Sequence, residues 1–285
     1  MPNYFWFLLL ILFSLAILFY TLYKKRDPMV MVQWFFLAGL SYVFELITLV
    51  YLNGYTYHPH LLPKGFADSI IGSIASQGLS VPITGAFIAA FDLGWIWILL
   101  ISLLFVGTEI LFLFLNLYEH QWWSIYLTAV MLPLSFWLSR KWYQLLKARY
   151  HPLVWFTTLY FCIFCLTVTI VWFISTVFYQ YQMVYGWFID AVRDHTAVNG
   201  TYYLVTSFVY TVILFLDGQY KKQAFLLILI ILSDFFLYLD GILQITSPSW
   251  SILYFPVMHL LVLVLYTYAN RWLLGYQYQR IRSHS

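Results

Sequence analysis

The sequence predicts an all-α protein that crosses a membrane about nine times, on three observations. First, 63% of its residues are hydrophobic and only 9% charged, at a mean hydropathy of +0.82. A soluble domain carries about a quarter charged residues to cover its surface, so lipid must solvate much of this chain. Second, the apolar residues come in runs long enough for a helix to cross a hydrocarbon core, where helices satisfy their own backbone groups. Third, nearly every Lys/Arg cluster falls on one side when the runs are threaded alternately. The net charge of +3 therefore reports topology. No nucleic-acid motif occurs, and no nucleic-acid partner is expected.

The first run, Tyr4 to Tyr23, is closed by Lys24-Lys25-Arg26. A secretory signal places its positive charge before the apolar run; here the order is reversed. The run is therefore expected to stay as a span, with the N-terminus outside. Val30 to Asn53 then runs outward, and Gly54 to Gly65 forms an outer loop with Tyr57-His58-Pro59-His60. Asp68 to Phe91 returns to a tight turn at Asp92-Leu93-Gly94. Trp95 to Leu117 goes out, and Trp122 to Ser139 comes back to Arg140-Lys141. Leu153 to Phe178 goes out, and Thr201 to Leu216 returns to Lys221-Lys222. Ala224 to Leu243 goes out, and Ser251 to Leu274 comes in, ending in a cytoplasmic tail with Arg280 and Arg282. The whole of 1–285 reads as a single transmembrane helical domain.

Lys64 and Arg193 fall on the outer side against the pattern. Residues 179–200 carry Asp190, Arg193, Asp194 and His195. An outer loop with an interfacial helix is expected there, a polar extra span being the alternative. Asn199-Gly200-Thr201 matches a glycosylation acceptor on that outer side. Aromatic residues reach 22%, and Trp95, Trp122, Trp123, Trp250 and Trp272 lie near span ends, as an interfacial belt requires. Tyr51-Leu52-Asn53-Gly54 and Tyr238-Leu239-Asp240-Gly241 look alike and hint at an internal repeat.

Ionisable groups inside spans are costly, so they mark candidate sites. Glu45 and Glu109 each sit about 12 Å below the outer boundary at 1.5 Å per residue. Asp234 and His259 flank one outer turn at matching depth, about 13 Å in. The four are expected to share a polar chamber, with Asp234 and His259 as a hydrogen-bonded pair and Asp68 and Asp240 towards the mouth. The alternative is that each acid is a helix clamp bonded to one of the many tyrosines. Asp68, Gly72, Ser76, Ser80 and Thr84 recur every four residues as a polar, small stripe with Gln77 nearby. Such a stripe serves close helix packing or lines a path. Pro82 cannot donate to the Gly78 carbonyl, so a kink and a free backbone acceptor are expected there.

Cys162 and Cys165 stand at helical i, i+3 spacing with no His beside them and read as small core residues. His58, His60, His120 and Glu119 lie at the outer surface without zinc-site spacing, so no metal is expected. No catalytic or nucleotide-binding signature occurs, and no cofactor is expected.

The run Gly107-Thr108-Glu109-Ile110-Leu111-Phe112, then Tyr118-Glu119-His120-Gln121-Trp122-Trp123 and Tyr126-Leu127-Thr128, resembles a pattern in uncharacterised multi-pass membrane proteins of Gram-positive, spore-forming bacteria. Asp68 and Pro82 upstream fit the same pattern, and the resemblance covers Glu45 to Trp142. It implies a bacterial plasma membrane and directs attention to Glu109, His120, Trp122 and Trp123. It implies no activity.

The leading expectation is binding or transport of a small solute or ion reached from the outer face. Glu45, Asp68, Gln77, Glu109, His120, Asp234, Asp240 and His259 are the candidate ligand-binding residues, with membrane lipid as the other partner. The alternatives are an enzyme acting on a lipid or polyprenyl substrate, with Asp234 and His259 as acid and base, and a sensor or assembly partner without catalysis. The sequence sets neither the substrate nor the oligomeric state.

Overall fold

The computed structural model describes residues 1–148, 150–216 and 218–283, with backbone only over 277–283, so the side chains of Arg280 and Arg282 lie outside the described residues. Eight of the described helices are long and apolar enough to cross a membrane. A further helix, Ile125–Lys147, matches the remaining expected span. It has 23 residues but carries Arg140, Lys141 and Lys147 towards its end. The helices group into two compact units, Met1–Ala148 and Arg149–Ser285.

In the first unit, α1 (Asn3–Lys25) precedes α2 (Met29–Glu45), which runs on into a π-helical segment, Leu46–Tyr51. A short strand β1 (Tyr55–Tyr57) follows. The next span is α3 (Gly65–Ser73), a π-helical segment Ile74–Ser80 and α4 (Val81–Ala90). Then come α5 (Trp95–Phe114), β2 (Tyr118–His120) and α6 (Ile125–Lys147). β1 and β2 pair antiparallel, with Tyr55 opposite His120 and Tyr57 opposite Tyr118. This strand pair, drawn from two loops far apart in the chain, closes one end of the unit. Charges gather at the other end: Lys25 Nζ lies 4.1 Å from the Phe91 ring centre, Arg140 pairs with Asp92 at 2.6 Å, and the Tyr143 hydroxyl donates to Asp27.

Buried polar groups must find partners, and in the middle of this unit they tie helices together. Gln33 Nε2 donates to the Ser139 carbonyl at 2.9 Å, and Ser139 Oγ donates to the Gly85 carbonyl at 2.7 Å, joining α2, α4 and α6. The Gly78 carbonyl is not left open by Pro82. Trp34 Nε1 donates to it at 2.9 Å. A Cβ at Gly78 would lie 2.4 Å from the Tyr42 hydroxyl, so only glycine admits that approach.

In the second unit, α7 (Pro152–Trp172) runs on into a π-helical segment, Phe173–Val177, followed by β3 (Tyr181–Met183) and α8 (Ala191–Phe215). Then come α9 (Tyr220–Leu239), β4 (Leu243–Ile245) and α10 (Tyr254–Ser283). β3 and β4 pair antiparallel with Tyr181 opposite Ile245. Val171, Tyr181, Met183, Val198, Tyr203, Leu243 and Phe255 form a buried core that includes residues of both strands. Trp155 Nε1 donates to Asn270 Oδ1 at 2.9 Å, tying α7 to α10.

The stretch expected to be an outer loop with an interfacial helix is different in the structure. Asp190 caps α8 by accepting from the amides of Val192 and Arg193, and one 25-residue helix runs from Ala191 to Phe215. Arg193, Asp194 and His195 are its first turns rather than a surface segment. Asn199 lies buried within it, in contact with the Tyr181 hydroxyl at 3.1 Å, so it is no accessible glycosylation acceptor.

The two units follow one plan. Each has a helix ending in a π-helical segment, a strand, a long span, a second span, a partner strand and a closing helix. Loop hydrogen bonds recur at one constant step along the chain, the step from Tyr55 to Tyr181. Leu52 N to Ile47 O reappears as Phe178 N to Phe173 O, and Gly54 N to Thr48 O as Gln180 N to Ile174 O. Asn53 and Tyr179, at that same step, both take the left-handed conformation, at φ 49° and 50°. The repeat therefore pairs Tyr51 with Val177, not with Tyr238 as the tetrapeptide likeness suggested.

Candidate functional site: a cavity in the first unit

Glu45 ends α2 where the π-helical segment begins, a geometry often found at functional sites. It is buried. The Tyr55 hydroxyl donates to one of its oxygens, and Ser73 Oγ donates to the other at 2.6 Å. Asp68 does not stand at a mouth. Its carboxylate accepts the amides of His60, Leu61 and Leu62 at 2.7 to 2.9 Å and fixes the loop that leads from β1 to α3. Asp194 does the same in the second unit, accepting from Tyr185, Gly186, Trp187 and Phe188.

Glu109, near the end of α5, meets His120 of β2. Its Oε1 lies 2.8 Å from His120 Nε2, while Oε2 is buried without a partner. The Glu109 side chain is 9% exposed. Beside it lies a cavity of about 390 Å³, lined by Tyr55, Tyr57, Gln77, Glu109, Tyr118 and Trp123 among mainly apolar neighbours. No Lys, Arg or His is among its lining residues. Its tyrosines pack on one another, with ring centres 4.8 Å apart for Tyr57 and Tyr118 and 5.3 Å for Tyr55 and Tyr118. Burial pushes all three phenols up, so they stay protonated; the Glu45 charge adds to this.

The small, polar stripe serves both of its expected roles. Gly72 packs against Tyr57, where a Cβ would fall 2.3 Å from that side chain. Ser76, one turn on, accepts from the Tyr57 hydroxyl at 3.3 Å and lines the cavity with Gln77 and Ser80.

Asp234 and His259 belong to the second unit and touch directly, Oδ2 to Nε2 at 2.6 Å. Both are fully buried. Tyr202 donates to Asp234 Oδ1 at 2.6 Å, and the Tyr210 hydroxyl bonds His259 Nδ1. Every polar atom of the pair is thus occupied. Asp240 is exposed in the turn after α9. The four mid-depth groups are therefore bonded as separate sets: Glu45 with Tyr55 and Ser73, Glu109 with His120, and Asp234 with His259, Tyr202 and Tyr210.

Sequence reasoning missed Tyr55, Tyr57, Tyr118 and Ser73. The Tyr-Thr-Tyr alternation just after a span that holds an acid was the available signal. Its three residues are too few to read as a strand. Among the described residues no cluster of three His, Cys, Asp or Glu could hold a metal ion. Cys162 and Cys165 are not joined in a disulfide, and the second is buried. No family model, curated protein or solved structure matches this chain.

Proposed function

We propose that this membrane protein binds a small, largely apolar molecule in the first unit's cavity, the step on which uptake or sensing of that molecule would rest. One observation carries the reading. Glu109 Oε2 is a buried acceptor without a protein partner, beside a cavity of about 390 Å³. A buried polar atom left unbonded costs on the order of 1–3 kcal/mol, and a ligand donor there would remove that cost. The volume lies within the range of small-molecule pockets and far exceeds that of a single ion. The distribution of Lys and Arg supports an orientation with the strand-paired end of this unit on the outer side of the membrane, which fits access from the outer face or the outer leaflet.

The enzyme reading draws less support. The Asp234–His259 pair has both carboxylate oxygens and both ring nitrogens already bonded, within a fully buried environment. It is better suited to clamping α8, α9 and α10 together than to exchanging protons with a substrate.

The test is a thermal shift of the purified protein with neutral, cationic and anionic aromatic compounds small enough for the cavity. At least one class is expected to raise Tm progressively with concentration. Ser80→Phe, which fills the cavity, is expected to erase that shift. Absence of a shift with every class rejects the reading.

A further inference from the structure

We infer that the cavity's ligand is an organic cation, an ammonium group on a compact hydrocarbon or aromatic body; this rests on the binding reading above and specifies its substrate class. The argument is an accounting of donors and acceptors. Tyr55 spends its proton on Glu45, and Tyr57 on Ser76. Thr108 donates to the Leu104 carbonyl at 3.0 Å, Ser135 to the Leu132 carbonyl at 2.8 Å, and Trp123 Nε1 to Thr128 Oγ1 at 2.8 Å. These five donors of the wall are therefore committed inside the protein, while an oxygen of its one carboxylate, Glu109 Oε2, is open.

Charge points the same way. The cavity is lined by one carboxylate and by no Lys, Arg or His. His120 meets the far oxygen, Oε1, leaving Oε2 to the ligand. An anionic ligand would face Glu109 with no cation to receive it. A neutral one would satisfy the orphan oxygen but leave the carboxylate's charge with only His120 as a neighbour. An ammonium answers both needs, since its N–H donates to Oε2 and its charge sits among the rings of Tyr55, Tyr57, Tyr118 and Trp123. Aromatic groups attract a cation within about 6 Å of the ring, more strongly where water is excluded. The apolar remainder of the wall, including Leu37, Phe105 and Phe112, fits the hydrocarbon body.

The experiment uses three near-isosteric probes, 2-phenylethylamine, 2-phenylethanol and 3-phenylpropionate, titrated by calorimetry into the full-length protein in detergent. The amine is expected to bind at least about tenfold more tightly than the alcohol, and the carboxylate most weakly. Glu109→Gln is expected to erase that preference, and an unfolding midpoint close to that of wild type shows that the variant folds. Equal binding of amine and alcohol to wild type overturns the cation inference and leaves the cavity reading intact. Tightest binding of the carboxylate does the same. No binding of any probe overturns both, and an amine preference that survives Glu109→Gln overturns the assignment to Glu109.

Discussion

The two units repeat one strand-capped plan but treat the acid of α5 and the acid of α9 in opposite ways. In the second unit Asp234 is bonded through both oxygens, to Tyr202 and His259, and His259 is bonded through both nitrogens. In the first, Glu109 keeps one oxygen bonded to His120 and leaves the other buried and open beside a cavity. Identical tasks are done identically. Asp68 and Asp194 each fasten the loop before a long span, and the loop bonds after each π-helical segment match one for one. On the binding reading proposed above, the shared bonds hold the fold and the open oxygen of Glu109 is where a ligand is gained.

The sharpest way to break this contrast is to attack the occupied acid. Asp234→Leu leaves His259 and Tyr202 buried without their partner and is expected to cost about 3–5 kcal/mol. The double variant Asp234→Leu/His259→Leu is expected to recover much of that loss, because a buried pair exchanged for apolar residues is often near neutral. Denaturation in detergent measures both. If the single variant is as stable as wild type yet loses activity or binding, the pair is functional and the contrast fails.

Next come the loop anchors, where the units should agree. Asp68→Ala and Asp194→Ala each strand several loop amides and are expected to cost about 2–3 kcal/mol. Unfolding midpoints are expected to fall by similar amounts. A harmless Asp68→Ala beside a damaging Asp194→Ala would show that the shared plan is not shared energetics.

The sequence made the scaffold's outline legible, because lipid demands long apolar runs and positions charge at their ends. It also put Asp234 and His259 at one depth, since a tight turn between two spans leaves little freedom. What it hid depends on contacts distant in the chain. Trp34 and Gly78 meet across helices, so no local rule about Pro82 reveals that the freed carbonyl is taken. The start of α8 was masked by Arg193, Asp194 and His195, which look like surface until Asp194 and His195 are seen bonded to the neighbouring loop. The π-helical segments leave no compositional mark, and the three-residue strands are too short for alternation to show. The open oxygen of Glu109 belongs to this class too. Which of two carboxylate oxygens finds a partner is decided by packing alone.

Glu109→Gln sharpens the comparison from the open side. Stability is expected to change by less than about 1 kcal/mol, because the affected oxygen makes no bond in the folded protein. Binding of a cationic probe is expected to fall by at least about tenfold, or 1.4 kcal/mol. Chemical denaturation and calorimetry on the same preparation separate the two effects. A stability loss comparable to that of Asp234→Leu would mean that both acids are clamps.

The smallest effect is expected at the opposite end of the first unit, where Asp92 meets Arg140 and Gln144 in the turn between α4 and α5. The hydrogen bond from Arg140 holds the Asp92 carboxyl below the usual carboxylate range. A lowered folded-state value means that this interaction stabilises the fold above the unfolded group's titration, near pH 4, and that its contribution is lost as pH falls through the lower folded value. Asp92 is 63% exposed, so solvent screens the pair and its contribution stays under about 1 kcal/mol. Asp92→Asn is therefore expected to lower the unfolding midpoint slightly at neutral pH and to converge with wild type as pH falls below the lowered folded-state value. An unchanged midpoint at neutral pH would assign the turn's stability to the amide-tolerant bond from Gln144, which Asn keeps, rather than to the ion pair. The charged end would then hold the helices by geometry, as the strand-paired end does.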